Sequence, residues 1–280
     1  MTATGILDGR VALVTGAGRG VGAALARKLA SAGAAVVVAD LDTGPAEEIA
    51  DEICGAGGRA QPLTGDITDI DFGDRAVACM IDTFGGVDII VNNAGYVWNS
   101  SIHKTTDEQW QAMIDCHATA PFRILRAATG FIRKAAQEEE REGRTHHRKV
   151  VNVSSIAGLY GGATQIGYAA GKAAQVGITK TLAKEWARYR VNVNCVGFGF
   201  IDTRLTQIWE TGDVEHIDVG GRDHAVGFSA EARAALESII PFGRAGTPEE
   251  AAGAVYLFCI PESDYITGEV LVAGGGLLSY

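Results

Sequence analysis

The sequence predicts an α/β protein: a single doubly wound parallel sheet of about seven strands, spanning residues 1–280, with helices on both faces. Three observations predict it. Short Val- and Ile-rich runs recur along the chain, helical patterns alternate with them, and a glycine-rich turn joins the first run to the first helix. Near-continuous apolar runs suit strands buried on both faces, and their alternation with helices builds right-handed βαβ units.

The first strand is Val11–Thr15 (VALVT), followed by 35–39 (AVVVA), 87–91 (VDIIV) and 150–153 (VVNV). Residues 191–196 and 269–272 have the same character. Helical patterns cover 21–32, 46–54, 72–83, 108–136, 169–188 and 249–259, with Ser31-Ala32-Gly33 reading as a helix end. Two segments break the rhythm. Residues 133–149 (RKAAQEEEREGRTHHRK) read as a solvated helix extension and loop, and the adjacent His146 and His147 lack the further ligands a metal site needs. Residues 203–246 are long and irregular, which inside a compact domain predicts a lid or substrate loop.

Composition narrows the function. With 24 Lys and Arg against 34 Asp and Glu the net charge is −10, which argues against nucleic acid or an anionic membrane as partner. Five scattered cysteines with no C-x-x-C pair read as reduced thiols. The N-terminus lacks a signal-peptide pattern and the apolar runs are strand-sized, so the expectation is a soluble cytoplasmic protein.

The turn that starts at Thr15 reads TGAGRGVG. Glycines there let the backbone approach a pyrophosphate at a helix N-terminus, giving Gly16, Arg19, Gly20 and Val21 as cofactor contacts. Asp40 closes the second strand about 20 positions after the turn, followed by Leu41. A carboxylate there accepts the adenosine-ribose hydroxyls and repels a 2′-phosphate, favouring NAD over NADP. Arg19 pulls the other way, unless it is solvated or paired with Asp40.

Further motifs follow in order: Asn92-Asn93-Ala94-Gly95, Ser155 after the VVNV strand, and Tyr168-Ala-Ala-Gly-Lys172, with Ser155 and Tyr168 13 positions apart. Together with the T-G-x-x-x-G-x-G turn, these resemble the short-chain dehydrogenase/reductase family over about residues 9–276. The resemblance implies a Rossmann-type domain and an oxidoreductase that interconverts a secondary alcohol and a ketone. Tyr168 is then the acid/base, Ser155 holds the substrate oxygen, and Lys172 supports both Tyr168 and the nicotinamide ribose. Tyr168 and Lys172 are four apart and so share a helix face. An ammonium about 5 Å from the phenol is expected to lower its pKa by roughly two units. The resemblance also implies that Asp66 and Ile67 flank the adenine, that Asn93, Ala94 and Gly95 line the ribose side, and that Gly199, Ile201 and Thr203 meet the nicotinamide and pyrophosphate.

Two positions depart from the family pattern. His117 stands where the family commonly carries an asparagine whose main-chain carbonyl holds a water beside the lysine. It either preserves that relay through the backbone or joins it as a titratable group. Phe198 replaces a usual proline, and its ring is a candidate for the substrate pocket. The overall pattern looks most like the branch that reduces 3-oxoacyl thioesters of acyl carrier protein or coenzyme A. Arg123, Arg126 and Arg133 are candidates to meet a phosphorylated carrier, or solvated or interface residues. The alternatives are a dehydrogenase of free secondary alcohols such as steroids or terpenes, with Tyr96, Trp98 and Trp209 as pocket, and a non-catalytic nucleotide sensor. The resemblance further implies a homotetramer, with the apolar tail 277–280 at an interface.

Overall fold

The computed structural model describes residues 5–209, 215–219 and 221–277. The chain runs β1 (Val11–Thr15), α1 (Gly20–Ser31), β2 (Ala35–Asp40), α2 (Thr43–Gly55), β3 (Arg59–Thr64), α3 (Phe72–Phe84) and β4 (Ile89–Asn92). It continues with α4 (Asp107–Ile114), a π turn (Asp115–Thr119), α5 (Ala120–Arg141), β5 (Arg148–Ser155), α6 (Ile156–Tyr160), α7 (Ile166–Glu185) and β6 (Val191–Phe198). The last elements are β7 (Glu215–Val219), β8 (Arg222–Val226), α8 (Ala230–Ser238), α9 (Pro248–Tyr256) and β9 (Val270–Ala273). Seven strands form one parallel sheet in the order β3-β2-β1-β4-β5-β6-β9, six of them at the apolar runs.

The sheet is dry on both faces because its central strands alternate apolar residues to either side. Ala12 and Val14 of β1 join a core under α1, α2 and α9 with Leu25, Ile49 and Val255. Val11 and Leu13 join a second core under α3, α5 and α7 with Phe72, Met80, Ile124 and Ile132. The strand order reverses between β1 and β4, and that switch opens a crevice at the carboxyl ends of the strands.

Four segments differ from expectation. β3 has no apolar run, because it is the sheet edge, is half-exposed and contains Pro62. The helix expected over 108–136 is two helices, with α5 continuing to Arg141. A capping box from Thr106 and Gln109 starts α4, and the π turn separates it from α5. Pro121 has no N–H to give the His117 carbonyl four residues earlier; Gln175 Nε2 donates to that oxygen at 2.8 Å. The segment 203–246 is not irregular throughout, since it holds the β7–β8 hairpin and α8.

The charged segment 133–149 is only partly solvated. Arg148 and Glu139 are each 4% exposed and form a two-pronged ion pair, Nη2–Oε1 2.6 Å and Nη1–Oε2 3.1 Å. Burial opposes the Glu139 charge, but the Arg148 bonds and charge hold its carboxyl below the ordinary range. That contribution is present above the unfolded carboxylate range and is lost as pH falls through the lowered value. Glu139→Ala strands the guanidinium and is expected to cost about 3 kcal/mol by urea denaturation at neutral pH. Replacing both partners, Glu139→Leu with Arg148→Met, is expected to cost clearly less. His146, far from being a bare loop residue, bonds Asp88 and Arg10 at the amino end of the sheet.

Candidate active site

The glycine turn after β1 leaves the first turn of α1 open. Gly16 and Gly20 have φ of +62° and +54°, in the left-handed region that suits glycine. No side chain caps the helix at Arg19 and its first turn carries no acid, so its amides remain available to an anion. Asn93 fastens β4 to this turn: its Nδ2 donates to the Thr15 carbonyl at 2.9 Å and the Gly16 carbonyl at 3.2 Å. Thr15 Oγ1 accepts from the amides of Asn93 and Ala94.

A groove of about 570 Å³ runs along this edge. Its lining includes Gly16, Arg19, Gly20, Val21, Asp40, Leu41, Asp66, Ile67, Asn93, Ala94, Gly95 and Thr203, as the sequence places them. Gly199 and Ile201 are not in it. Gly199 packs on Gly274, and buried Ile201 bridges to Gly246. Asp40 Oδ2 accepts from the Gly18 amide at 2.8 Å and Oδ1 from the Asp42 amide at 3.1 Å. Arg19 pairs with Asp42, not Asp40, at 2.6 Å, and both partners are about half exposed. Sequence reasoning missed Asp42, whose signal was the Asp40-Leu41-Asp42 repeat of carboxylates. It also missed Glu108, Asp115 and Asp218, which join the same lining.

Behind Gly95 lies a compact polar cluster. Ser155 ends β5 and caps α6, accepting from the Ala157 amide at 3.2 Å. Its hydroxyl lies close enough to the Tyr168 phenol to pull that pKa down. Lys172, 3% exposed, reaches from the same face of α7 with Nζ 5.8 Å from the Tyr168 ring centroid. Nζ donates to the Val153 carbonyl at 2.8 Å. Burial lowers the Lys172 ammonium to about 8. Contrary to the expected depression, Tyr168 is raised: burial pushes the phenol up, with the Ser155 bond pulling back. His117 is fully buried, its ring edge-on to Tyr168 at 5.1 Å between centroids. Burial, then the Lys172 charge, hold its imidazole well below the ordinary value, so it is neutral.

Gln175, unmarked in the sequence reading, sits three residues beyond Lys172 and is 1% exposed. A polar residue at that spacing on the buried face was the available signal.

Other expectations shift. Phe198 packs against the core, because its strand register opposite Ser155 leads the ring there. Trp209 pins the hairpin segment, donating to the Val226 carbonyl at 2.7 Å. Tyr96 and Trp98 pack their rings on His224, carried by β8, at 4.9 and 4.7 Å. Arg123 donates to the Thr68 carbonyl and Arg126 covers the Phe122 ring, while Arg133 is exposed. Of the tail 277–280, residues 278–280 lie outside the described residues.

The glycine turn, the capped Ser155 and the Tyr168–Lys172 pair stand together on one sheet, and the short chain dehydrogenase family model matches residues 10–213. The chain belongs to the short-chain dehydrogenases. This oxidoreductase family member is 36% identical over 272 residues to a 3-oxoacyl-[acyl-carrier-protein] reductase of Vibrio cholerae, covering 97% of this chain and 98% of that protein. The reductase of the same name from Thermotoga maritima is 33% identical, with 97% and 99% covered. That of Escherichia coli is also 33% identical, with 96% and 98% covered. Among the described residues of this short-chain dehydrogenase, no helix is long and apolar enough to cross a membrane, and no group of three or more His, Cys, Asp or Glu could hold a metal.

Proposed function

We propose that the protein is an NAD(H)-dependent reductase of 3-oxoacyl thioesters, carried on acyl carrier protein or coenzyme A, with Tyr168 as the acid. The observation that carries this reading is the convergence of half-buried Ser155 and Tyr168 with buried Lys172 in one cluster behind the groove. The residues fit a dinucleotide: the open amides of α1 suit a pyrophosphate, and Asp40 keeps lone pairs for two ribose hydroxyls. Asp42, Asp66, Glu108, Asp115 and Asp218 outnumber Arg19 and Arg204 in the same lining, which disfavours an added 2′-phosphate. The chemistry that a bound nicotinamide supplies is hydride exchange at the substrate carbon.

The chain's own residues handle the proton. A raised phenol is a neutral donor at working pH, which suits reduction: Tyr168 Oη gives its proton to the ketone oxygen while Ser155 Oγ donates to the same atom. The phenolate left behind is stabilised by the positive charge of Lys172, whose Nζ lies 5.8 Å from the ring centroid. That help requires the ammonium. With Lys172 at about 8, the rate of reduction is expected to fall as pH rises through that value. The 203–246 segment acts as the lid, with Asp218 and Val219 of β7 on the groove. The exposed Trp110, Phe122 and Ile166 on α4, α5 and α7 support a homotetramer, which light scattering tests.

The test is oxidation of NADH and of NADPH with acetoacetyl-CoA. Turnover preferring NADH supports the reading. No turnover with either shifts the substrate to free secondary alcohols, assayed with NAD.

A further inference from the structure

His117 presents a polar atom that nothing assigned so far uses. Its Nε2 lies 2.8 Å from the Tyr96 carbonyl. A carbonyl oxygen only accepts, so Nε2 carries the proton and Nδ1 is left as a bare lone pair. Nδ1 is buried and has no hydrogen-bond partner among the described residues, a state that costs free energy unless a donor reaches it.

The donor is close at hand. A Cβ built on Gly95 would lie 2.9 Å from His117 Nδ1 and 3.5 Å from Lys172 Nζ, so the imidazole edge and the ammonium both approach Gly95. Lys172 has three N–H groups and spends one on the Val153 carbonyl. Among the other groups turned toward it, the Cys116 and Cys195 thiols are pushed by burial up to about 12 and 11 and stay protonated. Asp66 and Asp115 act on Cys116 from further out. Tyr168 is a neutral phenol. The main-chain oxygen of His117 already accepts from Gln175 Nε2, whereas the ring nitrogen accepts from nothing among the described residues. The unmet acceptor at this position is the ring nitrogen.

We propose that His117 Nδ1 is the acceptor that holds the Lys172 ammonium through one bridging water, with Tyr96 fixing the tautomer and Gln175 occupying the backbone oxygen. His117 is a positioning residue: it stays neutral, transfers no proton, and favours the charged form of Lys172. This rests on the reductase reading only for its use in catalysis; the hydrogen bond itself is testable without turnover.

Nitrogen-15 NMR of histidine-labelled protein, with the His117 signals identified by their loss in His117→Phe, is expected to show a protonated Nε2 and an unprotonated Nδ1 from pH 5 to 8. A protonated Nδ1, or a ring that titrates in that window, overturns the proposal. Lys172 is then titrated by carbon-13 NMR of lysine-labelled protein. His117→Phe, which keeps a ring but no acceptor, is expected to lower the Lys172 midpoint by about one unit. His117→Asn, whose Oδ1 takes the place of Nδ1, is expected to restore most of it. An unchanged midpoint in His117→Phe overturns the proposal, and if that variant does not fold the tautomer measurement decides alone, its His117 signals then identified by their loss in His117→Asn. If acetoacetyl-CoA is not reduced while the tautomer and midpoint behave as stated, the reductase reading fails and this one stands.

Discussion

Tyr168→Phe is expected to lower kcat for acetoacetyl-CoA reduction by roughly a thousandfold, the middle of the range for losing a positioned proton donor. The hydroxyl is the only atom removed, and the ring keeps its contacts with His117 and the Lys172 ammonium. Binding of NADH, measured by fluorescence titration, is therefore expected to change by less than about threefold, well under one tenfold step of 1.4 kcal/mol. Ser155→Ala is expected to be milder, near a hundredfold, because it removes one hydrogen bond to the substrate oxygen and leaves the donor. A Tyr168→Phe protein that retains a tenth or more of the wild-type rate removes Tyr168 from the acid role.

Asp40→Asn is expected to move the ratio of kcat/KM for NADPH over NADH upward by about a hundredfold. A carboxylate about 4 Å from a phosphate charge costs some 4 kcal/mol at an effective dielectric of 20, and solvent at the groove rim reduces that to around 3. Two tenfold steps correspond to about 2.8 kcal/mol. Asparagine is the informative substitution, because its side-chain oxygen still accepts from the Gly18 amide and only the longer bond from the Asp42 amide is lost. Asp42→Asn is expected to add a smaller gain by releasing Arg19 from its half-exposed ion pair. A ratio unmoved by Asp40→Asn, or a wild type that prefers NADPH, contradicts the assignment of NAD.

What could be read in advance was whatever depends on local periodicity. The β1 residues alternate between two cores and are apolar at nearly every position, so the strand and its two-sided burial were visible together. Tyr168 and Lys172 share a helix face by spacing alone. What stayed hidden depends on contacts distant in sequence. β3 is held by its neighbour β2 and not by its own hydropathy, so Arg59–Thr64 carried no signal. The partner of Arg19 was undecided until the α2 entrance placed Asp42 beside it. The lone charges of 139 and 148 looked solvated because their pairing needs helix and strand to be packed together. Gln175 matters only because Pro121, 54 positions earlier, leaves a carbonyl for it to meet.

The clearance around His117 has a consequence for how this sequence can change. A methyl group at position 95 would press to 2.4 Å on the ring carbon Cε1, and one at 171 to 2.8 Å on its Cβ. Residue 95 cannot enlarge while the imidazole is present, whereas residue 171 is also closed by the Met113 carbonyl, 2.9 Å from the same methyl. Mutational paths that change residue 95 must therefore first shrink residue 117, and libraries that vary 171 will return glycine whatever side chain stands at 117.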